Sequence, residues 1–278
     1  MKLWVNGEVL DEERARVSPF DHGLLVGDGV FETLRVYEGV PFAWRRHYER
    51  LVQSASALGL TTPDSTALRD AADAVLAANG LSDGRLRVTV TGGPAPLGSE
   101  RGEAPPTVLV AASEPRLWPP TEAVVMVPWT RNERGATAGL KTISYAENVR
   151  ALAFAHERGA SEAIFCNTRD DLCEATGSNV FLVQHGSLST PAADSGCLLG
   201  VTRALVIELC AEEGMPCVER AVRPDELCAA DEAFLTSSTR EVQPVSRAND
   251  VNLPAAPGPV TTRIADAFRA LVARDLDP

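Results

Sequence analysis

No stretch of this sequence is long and apolar enough to span a bilayer, and Met1 to Gly7 lack the apolar run and small-residue cleavage site of a signal peptide. Both absences lead to the expectation of a cytoplasmic protein with no membrane partner. Net positive charge is missing as well: 26 Lys and Arg stand against 38 Asp and Glu, a formal charge of −12. Phosphate-backbone binders need a basic face to displace counterions, so a nucleic-acid partner is not expected. Metal-ligand spacing is also lacking. The four histidines (His22, His47, His156, His185) are scattered, and none of the six cysteines forms a CxxC pair, so no metal is expected. Those cysteines (Cys166, Cys173, Cys197, Cys210, Cys217, Cys228) all fall in the C-terminal half and read as reduced thiols packed as small hydrophobes. There is no internal repeat and no low-complexity tract.

What is present is an ordinary globular composition, 45% hydrophobic and 23% charged over 278 residues, enough for one large domain or two lobes sharing a cleft. Strand spacing occurs over Met1 to Val5, Gly29 to Val36, Arg85 to Thr91 and Thr107 to Ala112. Helical spacing occurs over Arg45 to Leu60 and Thr66 to Ala78, the latter with Asp64 and Ser65 to cap it and Asn79-Gly80 to stop it. From Trp118 to Ala138 the composition shifts to Pro, Gly, Thr and charge, which reads as a connector. Beyond it, helices are expected at about Tyr145 to Arg158, Thr202 to Glu213 and Val260 to Arg274, and strands at Glu162 to Cys166, Asn179 to Val183 and Glu232 to Thr236. The expectation is an α+β, two-domain chain: residues 1–117 a small N-terminal lobe, 118–138 a connector, and 139–278 a larger C-terminal lobe.

Several residues in this layout could carry chemistry. Lys141 sits between Leu140 and Ile143, just past the connector; apolar flanks lower a lysine pKa toward the range in which it attacks an aldehyde, whereas a solvated surface charge is the plainer alternative. Glu174 precedes a small-residue turn, Ala175 to Ser178, and is either a turn former or a carboxylate that holds a ring nitrogen protonated. Three segments suit an anion: Arg50 with its guanidinium fork, Val201 and Thr202 at a helix start after Leu199-Gly200, and the hydroxyls of Thr236 to Thr239. Each of the three also reads as plain structure: a salt bridge, a helix cap and a polar turn.

Taken together and in order, these segments resemble the class IV aminotransferases, the pyridoxal-5'-phosphate (PLP) enzymes of fold type IV. Ser18-Pro19-Phe20-Asp21-His22-Gly23, Gly27 to Thr33 and Arg35 are similar to the family's first-lobe signature, and His47 with Arg50-Leu51 to its phosphate-binding helix. The resemblance implies a cofactor cleft between the lobes. It makes Lys141 the Schiff-base lysine and catalytic base, Tyr145 the partner of the cofactor's phenolic oxygen and Glu174 that of its ring nitrogen. Asn179 belongs to the Glu-x-x-x-x-Asn-x-Phe segment, and Arg50, Val201, Thr202 and Ser238, with Thr239 beside it, make cofactor contacts. A small-molecule amino donor, a 2-oxo acid and a homodimer are implied as partners.

The stretch Ser18 to Gly39 looks most like 4-amino-4-deoxychorismate lyases, while Arg35 to Tyr37 and Leu235 to Thr239 with Glu241 look like D-amino-acid aminotransferases. The substrate pocket is expected at Phe31, Arg87, Leu97 and Ser99. Phe31 stands where the D-amino-acid enzymes have tyrosine, and Leu97 and Ser99 stand where they have the Arg and His that trap a carboxylate. Arg87, Arg101 or Arg134 could supply the cation instead. The leading expectation is a transaminase for D-amino acids or small amines; an aminodeoxychorismate lyase and a non-catalytic scaffold of the same fold are the rivals.

Overall fold

The computed structural model describes residues 1–278, which divide into two compact units. The first comprises Met1–Arg116, Leu140–Tyr145 and Asp275–Pro278; the second comprises Leu117–Gly139 and Ala146–Arg274.

In the first unit the elements run β1 (Lys2–Val5), β2 (Glu8–Asp11), α1 (His22–Val26), β3 (Gly29–Tyr37), β4 (Val40–Pro41), α2 (Trp44–Ala57), α3 (Ser65–Asn79), β5 (Gly84–Thr91) and β6 (Val108–Ser113). The strands form one antiparallel sheet in the order β2-β1-β6-β5-β3-β4. Apolar residues at i, i+3, i+4, i+7 and i+8 of α3 (Leu68, Ala71, Ala72, Val75, Leu76) are all buried, and they join Leu34, Leu86, Val88 and Val110 of the sheet in one core. Asp64 caps α3 by accepting from the Ala67 N–H at 2.9 Å, and Gly80 ends it in the left-handed conformation. α2 has no cap of its own, because Ala43 stands at its N-cap. The Arg45 N–H donates instead to Asp277 Oδ1 at 2.9 Å, so a cap arrives from the far end of the chain.

The second unit runs β7 (Glu122–Arg131), α4 (Ala146–His156), β8 (Glu162–Asn167), β9 (Leu172–Ala175), β10 (Asn179–Gln184), β11 (Ser187–Pro191), α5 (Val201–Glu212), β12 (Cys217–Arg220), α6 (Pro224–Cys228), β13 (Glu232–Ser237), β14 (Glu241–Ala248), β15 (Val251–Asn252) and α7 (Pro259–Arg274). Its mixed sheet has the order β12-β11-β10-β13-β14-β7-β8-β9, with β15 added to β14. Parallel pairs join β14 to β7 and β7 to β8, and parallel strands are buried on both faces. Alternate residues accordingly enter two cores: Val124 and Ile164 pack with Val180, Leu182 and Leu235, while Val125, Val127, Ala163 and Phe165 pack with Ala151 and Ala155 of α4.

Two readings of the organisation differ from the sequence-based layout. The expected connector, 118–138, holds the ten-residue strand β7 inside the second sheet. Its flanking Pro and Gly suggested a loop, but Val124, Val125 and Met126 pair with strands remote in sequence, which no local pattern reveals. Lys141, expected in the lobe 139–278, belongs through Leu140–Tyr145 to the first unit.

Candidate functional site

The segment carrying Lys141 is fastened to β3 by backbone. The Phe31 N–H donates to the Lys141 carbonyl at 3.0 Å, the Ile143 N–H donates to the Gly29 carbonyl at 2.9 Å, and the Lys141 N–H donates to Ser54 Oγ of α2 at 3.1 Å. Glycine at 29 permits this approach, because a Cβ there would stand 2.7 Å from the Val90 carbonyl oxygen and 2.8 Å from Ile143 Cδ1. With both backbone groups of Lys141 engaged, the direction of its side chain is set by the strand beside it. Lys141 Nζ lies 4.5 Å from the centroid of the buried Phe31 ring. The Arg87 guanidinium stacks on that same ring at 3.7 Å, and Tyr145 meets it edge-on at 5.1 Å. Phe31 therefore gathers the lysine and phenol of the 138–145 segment with the Arg87 guanidinium of a remote strand.

Next along β3, Glu32 is buried and receives the Arg50 fork, Nε to Oε1 and Nη2 to Oε2, each at 2.7 Å. His47 Nδ1 lies 2.6 Å from Glu32 Oε2. Burial pushes the Glu32 carboxyl pKa up, but the Arg50 charge and the hydrogen bonds from Arg50 and His47 overcome this and hold it far below the ordinary carboxylate range. For His47, burial lowers the pKa against the pull of Glu32, so the ring is neutral and Nδ1–H is the donor. Arg50, expected on phosphate, is thus held in place by a carboxylate that the sequence reading left without a role.

In the second unit, Glu174 lies on β9, just ahead of the small-residue turn. Its Oε2 accepts from the Leu198 N–H at 2.9 Å, while Asn179 Nδ2 donates to the Leu198 carbonyl at 2.8 Å, so both backbone polar groups of one residue are held. Leu198 leads directly into α5. At Gly200, the N-cap, a Cβ would stand 2.2 Å from Asn179 Oδ1, so glycine is required for this approach. α5 has no side-chain cap, and Val201 and Thr202 in its first turn are buried. Arg131, which the sequence reading overlooked, has Nη1 4.0 Å from Glu174 Oε1, stacks on Phe165 and donates to Asn148 Oδ1. Ser238 and Thr239 occupy the turn between β13 and β14.

The remaining pocket candidates separate. Leu97 is 76% exposed and Ser99 is exposed, both on the loop between β5 and β6. Arg101 is committed to Asp28 through Nε at 2.7 Å and Nη2 at 2.6 Å, and the Arg134 side chain is 80% exposed beside Glu133. Of the three candidate cations, Arg87 alone stacks on the ring that Lys141 faces. A further signal lay in the composition: the chain has only two lysines, Lys2 and Lys141, and Lys2 is exposed at the start of β1.

Residues 29–248 match the family described as amino-transferase class IV. The chain is 33% identical to a D-alanine aminotransferase of Bacillus licheniformis, over 97% of this chain and 96% of that one. It is 32% identical to an aminodeoxychorismate lyase of Bacillus subtilis, over 94% and 92%. The branched-chain aminotransferase of Thermoproteus uzoniensis, solved with norvaline, superposes with a TM-score of 0.90 at 31% identity, covering 98% of this chain and 94% of that one. The chain belongs to the class IV aminotransferases, whose members are PLP enzymes of fold type IV.

The residues present fit that cofactor. An aldehyde needs an amine, a protonated ring nitrogen needs a carboxylate, and a phosphate needs N–H, hydroxyl and guanidinium donors. Lys141, Glu174, the uncapped first turn of α5, the hydroxyls of Ser238 and Thr239, and Arg50 are donor types of the required kinds.

Proposed function

We propose that this protein is an amino-acid transaminase, moving the amino group of a donor amino acid to a 2-oxo acid, with Lys141 as the proton-transferring residue. The observation that carries this reading is the shared ring of Phe31: the one lysine away from the chain's start and, of the three candidate arginines, the one with no acid beside it both stand on it.

PLP, when bound, supplies an aldehyde that accepts the amino group and a ring that withdraws electrons from the donor's Cα. In the proposed assignment Lys141 holds the aldehyde carbon, Tyr145 the phenolic oxygen and Glu174 the ring nitrogen. Arg50, Val201, Thr202, Ser238 and Thr239 hold the phosphate, with Asn179 steering the start of α5 through Leu198. Lys141 Nζ then takes the Cα proton of the donor as general base and later returns it. Arg87 binds the donor's carboxylate through its fork, which favours amino acids over plain amines. D-alanine and branched-chain amino acids, to which the relatives' names point, both present such a carboxylate.

The exposed apolar run Phe20, Leu24, Leu25 and Val26 supports a homodimer, since contiguous exposed apolar surface marks an interface. Light scattering on the purified protein checks it. A lyase acting on aminodeoxychorismate is the second reading, favoured by the similarity to the Bacillus subtilis enzyme. One experiment separates the readings. The protein is incubated with D-alanine, the branched-chain L-amino acids and other D-amino acids, each with pyruvate or 2-oxoglutarate, and separately with aminodeoxychorismate. Transfer of the amino group to the oxo acid is expected. Production of 4-aminobenzoate with no amino transfer from any donor would overturn the proposal, and a colourless protein unchanged by added PLP would leave only the scaffold.

A further inference from the structure

Behind the turns assigned to the cofactor lies a buried charge cluster that the proposed chemistry does not use. The Arg240 side chain is 3% exposed and lies between two buried carboxylates, Nη1 3.3 Å from Glu122 Oε1 and Nη2 3.3 Å from Glu162 Oε1. Its guanidinium carbon stands 3.5 Å over the Trp118 ring, and Nη1 also donates to Gln243 Oε1. Glu162 in turn accepts from Ser178 Oγ at 3.2 Å and from the Thr176 hydroxyl. The Arg240 N–H donates to Ser237 Oγ at 3.2 Å.

These contacts have a direction. Asn179 pairs with Thr236 where β10 begins and β13 nears its end, so the 176–178 and 238–240 turns emerge beside each other from adjacent strands. The first turn lies between Glu174 and Asn179, and the second carries Ser238 and Thr239. Glu162 fastens the first, Arg240 belongs to the second, and their ion pair ties the two together. Stability alone is a weak reason for such a cluster, because buried ion pairs contribute little net stability compared with apolar residues of similar volume. What a planar fork between two carboxylates supplies is fixed geometry.

We propose that Arg240 is a positioning residue that, through Glu162 and Glu122, locks the two turns in register and so sets how tightly Ser238 and Thr239 hold the cofactor's phosphate. This rests on the PLP assignment above. Arg240→Met keeps the length and packing of the side chain and removes the fork; Arg240→Lys keeps the charge and loses the bidentate geometry.

The test compares the affinity of each folded variant for PLP with its affinity for pyridoxal, which lacks the phosphate. In Arg240→Met, PLP binding is expected to weaken about 10- to 100-fold, the range seen when supporting partners of a binding site are removed, while pyridoxal binding changes less than about 3-fold. Arg240→Lys is expected to fall between this variant and the parent protein, and it supplies the measurement if Arg240→Met does not fold. A PLP-to-pyridoxal preference that stays at the parent value in either folded variant would overturn the proposal. Borohydride reduction of the parent protein with PLP tests the underlying assignment separately: a phosphopyridoxyl label absent from the Lys141 peptide would sink that assignment whatever Arg240 does.

Discussion

Arg50 grips Glu32 with both arms of its fork at 2.7 Å, inside the first unit and with His47 on the same carboxylate. A partly buried, doubly bonded guanidinium is held rigidly, which suits a residue whose expected partner is a phosphate. Its cost is a dependence on the ionised state of Glu32.

That dependence has a sign. The folded-state pKa of Glu32 lies well below its ordinary value of 4.5, so its contribution is fully present at neutral pH and is lost as pH falls from about 4.5 toward the folded value. His47, held below its ordinary 6.5, begins the same decline earlier, because the unfolded chain takes up a proton that the buried ring resists. Thermal melts through the acid range should show stability dropping in these two windows. Glu32→Gln should lower stability at neutral pH by about 3–5 kcal/mol, the cost of leaving a buried charge unpaired, and flatten the lower window. An unchanged acid profile would show that the cluster does not govern it.

Lys141→Ala should remove transaminase activity and the visible absorbance of the PLP-loaded protein together. With Lys2 as the chain's other lysine, borohydride labelling in the parent protein should map to a single tryptic peptide, and mass spectrometry reads it directly.

Replacing Arg87 with Ala should raise the KM for a carboxylate-bearing donor by about 10- to 100-fold, on the scale of one charge-assisted hydrogen-bonded contact. Labelling of Lys141 should persist in this variant, since the guanidinium is assigned to substrate and not to cofactor. Equal loss of labelling and of donor affinity would place Arg87 with the cofactor instead.

Gly29→Ala asks whether the Lys141 segment depends on close backbone approach. The added methyl would meet the Val90 carbonyl at 2.7 Å, and a destabilisation of about 1–3 kcal/mol is expected from overpacking. Denaturant unfolding measures this; a neutral change would mean the segment yields without cost.

A smaller effect is expected from Asp277→Ala, which removes the carboxylate that caps α2. The loss should be about 1 kcal/mol, read as a lower melting temperature.

Local chemistry accounts for most of what could be read without coordinates. The 3.6-residue spacing of Leu68, Ala71, Val75 and Leu76, with Asp64 before it and Gly80 after it, defines α3 because helix and caps depend on neighbours in the chain. Helical spacing without such caps marks α5 and α7, and the residue types of the site are equally local: an amine at 141, a carboxylate at 174, a guanidinium at 50 and hydroxyls at 238 and 239. Those types and their order defined the family.

What only the tertiary structure decided are the relationships between remote segments. Glu122 to Arg131 became a sheet strand through parallel neighbours distant in sequence, against its loop-like flanks. Glu32 acquired a role because Arg50 and His47 on α2 fold back onto β3, and Arg87 was chosen over Arg101 and Arg134 because β5 sets it on the Phe31 ring. Arg240 carried no sequence signal, since two carboxylates some 80 and 120 residues upstream give it meaning. Hydrogen bonds and ion pairs of this kind depend on distances of about 3 Å, and chain spacing constrains those only within a turn or a helix.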